Sequence, residues 1–161
     1  MGSWLAPDDL PAIDLDGIAG GQGCDFIPNL YSAADGSVFA FFAQRAGANN
    51  ETVHIVSNRF QPNLGWQGPQ IVDDFNQGGY CYRGPAVITP DSRPHIPVVQ
   101  GYFPNQESKF VSLDQNGNWQ RTLISDLPSD IYFKSISYDP TTGIYCGVFR
   151  NLNNFYLAFH R

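Results

Sequence analysis

Two hairpin signatures recur along this chain, and their recurrence limits what it can fold into more than any other feature. The stretch Lys109–Asp126 reads KFVSLDQNGNWQRTLISD. An alternating run from Phe110 to Leu113 meets the polar turn Asp114-Gln115-Asn116-Gly117-Asn118, and Trp119 opens a second run through Leu123 and Ile124. Asn-Gly between two such runs is the strongest short-range hairpin signal, because a tight turn needs residues that accept positive φ. A looser copy lies upstream. There Val53 to Ser57 leads into a turn ending at Leu64-Gly65, and Trp66 opens a run to Asp73-Asp74. The two tryptophans stand 53 residues apart, which is the mark of an internal repeat.

The second signature is a hairpin around an aspartate turn, and it occurs three times. The turns are Ala34-Asp35-Gly36-Ser37, Pro90-Asp91-Ser92-Arg93-Pro94 and Asp139-Pro140-Thr141-Thr142-Gly143, each followed by an apolar run. Asp35, Asp91 and Asp139 accept hydrogen bonds from their own turn backbones, which is the structural reason for aspartate at such positions. The chain therefore divides into units of about 50 residues, each an Asp-turn hairpin followed by a Trp-turn hairpin. The units run over about 28–74, 85–126 and 135–161. The third is cut short at the C-terminus, and the segment 4–16, with Trp4 at its head, has the pattern of the missing fourth strand.

Four antiparallel strands in about 40–50 residues is the pattern of a β-propeller blade. Propellers generally close with roughly four to eight blades, so three blades make half a ring. The expectation is a single all-β domain over 1–161: three four-stranded blades that complete a six-bladed propeller as a homodimer, with the N-terminal strands exchanged between copies. A monomer would leave sheet edges and blade faces open. The alternative is a β-trefoil, also three repeats of four strands.

Composition narrows the function. The chain has 161 residues, enough for one domain with a core, and is 42% hydrophobic, 14% aromatic and 15% charged. A net charge of −6 without a basic patch argues against nucleic acid or an anionic membrane as partner. No apolar run reaches the roughly 18–20 residues that span a bilayer, so no membrane insertion is expected. The N-terminus lacks the basic-then-apolar pattern of a signal peptide, and the compartment is left open. Cys24, Cys81 and Cys146 have no metal-ligand spacing, and His54, His95 and His160 lie in separate strands, so no cofactor or metal is expected. No nucleophile comes with a matched base, and Glu51 and Glu107, the two glutamates, fall between hairpins. The expectation is no enzymatic activity.

The Asp-turn hairpins, above all Pro85 to Ile96, resemble the repeats of bacterial sialidase-like and lectin-like propellers. Gly65-Trp66-Gln67-Gly68 and Asn116-Gly117-Asn118-Trp119 resemble the Gly-x-Trp-x-Gly turns of fucose-binding propeller lectins. Ser112 to Trp119 is close to the sialidase Asp-box, one residue out of register. The resemblance implies a non-enzymatic carbohydrate-binding propeller, with glycans held between blades. The glutamate that those lectins use has no counterpart here, since the slot carries His54, Lys109 or Tyr156. Fucose specificity does not follow.

The candidate ligand-binding residues are Trp4, Trp66 and Trp119, whose rings can stack on a sugar or pack on a neighbouring blade. Tyr80, Tyr82 and Arg83, with Tyr132 and Lys134, join them as loop residues entering the first strand of a blade, where cations beside aromatics can bind hydroxyls or carboxylates. A structural or protein-interaction propeller module without a small-molecule ligand is the other reading. It gains weight because the residues around the tryptophans differ between repeats.

Overall fold

The computed structural model describes residues 29–46, 52–75, 80–101, 106–124, 127–128, 131–151 and 153–161. Segment 4–16, with Trp4, and also Cys24, lie outside the described residues. The described residues are all-β and form three antiparallel sheets. Sheet one is a meander of β1 (Asn29–Ser32), β2 (Val38–Ala46), β3 (Thr52–Gln61) and β4 (Gly65–Phe75). Sheet two holds β5 (Tyr80–Arg83), β6 (Val87–Ile88), β7 (Pro94–Gly101), β8 (Glu107–Leu113) and β9 (Trp119–Leu123). Sheet three is β10 (Tyr132–Asp139), β11 (Ile144–Arg150) and β12 (Phe155–His160).

The turns set the registers. Between β1 and β2 the Ser37 amide donates to Asp35 Oδ1 at 2.9 Å, and Gly36 takes the left-handed backbone, φ 81°, that a side chain would oppose. Between β8 and β9 the amides of Asn116 and Asn118 both donate to Asp114 Oδ1 at 2.8 Å, with Gly117 also at φ 81°. Thr141 and Thr142 bind Asp139 in the third sheet and hold its carboxyl down at about 2.

β5 and β6 are two halves of one strand. Both pair with β7, Tyr80–Arg83 against Val98–Gly101 and Val87–Ile88 against Pro94–His95. At the break the Gly84 amide reaches the Pro97 carbonyl at 2.9 Å. Pro97 has no N–H to return the bond, and Pro85 has none to offer, so pairing lapses for three residues. With β5 and β6 counted together, sheets one and two each have four rungs and sheet three has three. Gly84 also allows close packing: a Cβ there would fall 1.8 Å from the Phe133 ring of β10.

Consecutive sheets pack face to face in chain order. Phe39, Phe41, Ile55 and Val72 of sheet one form one core with Ile96, Val98 and Val111 of sheet two. Val99 and Phe110, on the other face of sheet two, form a second core with Ile131, Phe149 and Ala158. β7 is consequently buried at all eight positions, as a strand covered on both faces must be. Ala40, Phe42 and Val56 make a small cluster with Trp66 on the face of sheet one turned away from sheet two.

One ion cluster ties the first two sheets together. Asp73 at the end of β4 is buried and meets Lys109 Nζ of β8 at 2.8 Å and Arg121 Nε of β9 at 2.6 Å. These are charge contacts at ion-pair distance rather than aligned hydrogen bonds. Lys109, whose side chain is only 6% exposed, depends on Asp73 for neutralisation.

Candidate ligand groove

A cleft of about 230 Å³ opens between sheets one and two at their Asp-turn end. Alternation along β3 places Ser57, Arg59 and Gln61 on its wall, since every second residue of a strand faces one way. Gln70 of β4 and Phe39 of β2 continue that wall, and Trp119 and Leu113 form the opposite one. The Trp119 ring meets Phe41 edge-on, with centroids 6.1 Å apart at 81°, so it serves the core and borders the groove at once. A shallower hollow of about 360 Å³ shares Arg59, Leu113 and Gly117 with the cleft and extends it over the turns of Asp91 and Asp114. The cleft alone is below the ~300–1,000 Å³ of typical ligand pockets and suits a single sugar-sized ring.

Among the described residues Arg59 is the one charged side chain on the wall of the cleft, and it is held on three sides. Its Nη2 lies 2.8 Å from Asp35 Oδ2 and donates to Ser37 Oγ at 2.9 Å. Nε donates to the same hydroxyl at 3.2 Å, and the guanidinium carbon stands 5.1 Å from the centre of the Phe39 ring. Partial burial raises the Asp35 carboxyl, but the Ser37 amide and hydroxyl and Arg59 outweigh this and keep it below the usual carboxylate range. Asp35 thus stays ionised and fixes Arg59. Two N–H groups on Nη1 are left for a ligand among the described residues.

Among the described residues, the interface between sheets two and three is packed differently. Phe39 is opposite Arg59, and the matching pair one unit on is His95 opposite Ser112. There the Tyr145 ring lies on His95 with centroids 4.1 Å apart, and its hydroxyl meets His95 Nε2 at 2.6 Å. Tyr138 also stacks on Tyr145, with centroids 4.7 Å apart. Aromatic packing covers the wall that stays open in the first interface.

Of the residues singled out from sequence, the structure brings Trp119 to the groove. Trp66 packs edge-on against Phe60 at 5.7 Å, on the face of sheet one away from the groove. Tyr80, Tyr82 and Arg83 form strand β5 rather than an entering loop, and their side chains lie outside the described residues. Tyr132 and Lys134 likewise lie in a strand, β10 of the third sheet, with a register irregularity between Phe133 and Ser135. Neither lines the groove. Trp4 lies outside the described residues. Sequence reasoning missed Ser57, Arg59, Gln61 and Gln70. Their signal is the two-residue period of β3 leading to the Trp66 turn, which puts three polar residues on one face.

Among the described residues no group of three or more His, Cys, Asp or Glu could hold a metal ion. No helix among them is long and apolar enough to cross a membrane. Cys146 is a free, half-buried thiol on β11. No family model matches the chain, and a search of curated proteins finds no relative.

Proposed function

We propose that this chain is half of a six-bladed β-propeller, completed by a second copy, that binds carbohydrate without catalysing a reaction. The observation that carries the ligand reading is the groove itself: an aromatic wall, Trp119, facing a fixed arginine and neutral polar side chains. Sugars are bound by such sets, with an aromatic ring on the apolar face and planar donors on the hydroxyls.

The ring reading draws support from the sheets. Each is a sequential meander, and each packs its face on the next, which favours blades over the barrel of a trefoil. The first strands of the three sheets meet around one hollow of about 460 Å³, where Ser32, Val87, Ile88, Ile136 and Tyr138 face each other. Innermost blade strands take that position around a propeller axis. The two end sheets carry large apolar residues in the open on their outward faces, Leu30 and Ile71 on sheet one and Phe155, Leu157 and Phe159 on sheet three. A second copy would bury one set on the other, repeating the packing already present twice within the chain. In this assembly segment 4–16 of each copy adds the fourth strand beside β12 of its partner.

A protein-interaction module is the second reading, and the same outward face of sheet three favours it. Glycan-array screening of the wild type and Trp119→Ala separates the two. Carbohydrate binding predicts a signal that Trp119→Ala weakens by at least about tenfold, the loss of a stacked ring being worth on the order of 1.4 kcal/mol, while Trp66→Ala weakens it less. A wild type that binds no glycan leaves the interaction module.

A further inference from the structure

The groove is lined as a sugar site, and a consequence for its specificity rests on that reading. We infer that the groove selects neutral sugars and rejects carboxylated ones, because Asp35 already occupies the cation that a sugar carboxylate would need.

An arginine in a binding cleft is ordinarily the anchor for a carboxylate, which it takes through two parallel N–H bonds. Here Asp35 Oδ2 and Ser37 Oγ take both hydrogens of Nη2, and Ser37 Oγ also takes Nε–H. Both edges that could grip a carboxylate through two bonds, Nη2–Nε and Nη2–Nη1, need an Nη2 hydrogen, so both are closed. The Nη1 hydrogens remain, suited to single hydroxyl oxygens. An incoming carboxylate would also stand close to Asp35 at the same guanidinium, so attraction and repulsion there nearly cancel. The adjoining rim adds Asp91, paired with Arg93, and Asp114, whose partners are the amides of its own turn and Gln120. The rim therefore carries three carboxylates against two guanidinium groups. The rest of the wall, Ser57, Gln61 and Gln70, is uncharged. A neutral ring loses nothing in this field and can use every remaining donor.

The test compares methyl glycosides of neutral hexoses with the corresponding uronic acids and with N-acetylneuraminic acid, by calorimetry on the wild type and on Asp35→Asn. Asparagine can still accept from the Ser37 amide, so the turn is kept while the charge is removed. The expected result is wild-type binding of neutral sugars at least about tenfold tighter than of carboxylated ones, with that ratio falling by about tenfold or more in Asp35→Asn as Arg59 is released. A wild type that binds uronic or sialic acids as tightly as neutral hexoses overturns the selectivity and leaves the carbohydrate site standing. An unchanged ratio in a folded Asp35→Asn protein overturns the role of Asp35. If that variant does not fold, the wild-type comparison decides alone. A wild type that binds none of these sugars removes the carbohydrate reading and the inference with it.

Discussion

His95 shows how one residue can make an interface sensitive to pH. It lies between sheets two and three with Tyr145 stacked upon it, and Arg93, Asp91 and His160 are the charged or titratable groups nearby. Burial first, then the positive charges of Arg93 and His160, press its pKa from 6.5 to about 4. The unfolded chain takes up the proton first as pH falls, so stability present at pH 7 is lost from about 6.5 down to about 4 and not further below. Between pH 7 and pH 5 the share belonging to His95 is about 2 kcal/mol. Urea unfolding at those two pH values is expected to show wild type losing about that much more than His95→Gln. Equal losses would mean that His95 is solvated in the folded protein. Burial chiefly lifts the Tyr145 hydroxyl well above the ordinary phenol range, so it stays protonated where it meets His95 Nε2.

Strands and sheets are the scale at which Asp73 acts. It comes from β4, while its partners Lys109 and Arg121 come from β8 and β9. Among the described residues, removing it leaves the buried ammonium of Lys109 with Glu107 alone, 3.6 Å away and half exposed. Asp73→Ala is expected to cost about 3 kcal/mol or more, and Asp73→Leu combined with Lys109→Met to recover most of that, because paired apolar groups need no neutralisation. Chemical denaturation of the single and double variants measures both. A single variant within about 0.5 kcal/mol of wild type would show that water reaches Lys109. Much of the element layout was legible in the sequence. The Asn116-Gly117 and Asp35-Gly36 turns announce their hairpins, and the runs after Asp91 and Asp139 become β7 and β11. Two features were not legible, for identifiable reasons. The break between β5 and β6 depends on Pro97 across the sheet, and no local pattern carries a cross-strand partner. Arg59 looks like an ordinary exposed strand cation until Asp35, 24 residues away, is seen to hold it. The closing of the second groove by Tyr145 likewise follows from packing between units, which repeat spacing cannot report.

For the whole molecule, the question is what meets the two end sheets. Phe155, Leu157 and Phe159 stand 69%, 61% and 67% exposed on the outward face of sheet three, and β12 is its edge among the described residues. Leu30 and Ile71 are comparably exposed on the far face of sheet one. Open apolar faces beside unpaired strand edges are aggregation hazards unless another surface covers them. Two copies arranged about a two-fold axis would cover both ends of both chains with the packing used inside each. The mass of the protein in solution, measured by light scattering across a dilution series, tests this most directly. Two half-rings predict twice the 17.8 kDa of one chain, held at low micromolar concentration. A particle of 17.8 kDa throughout the series would contradict it.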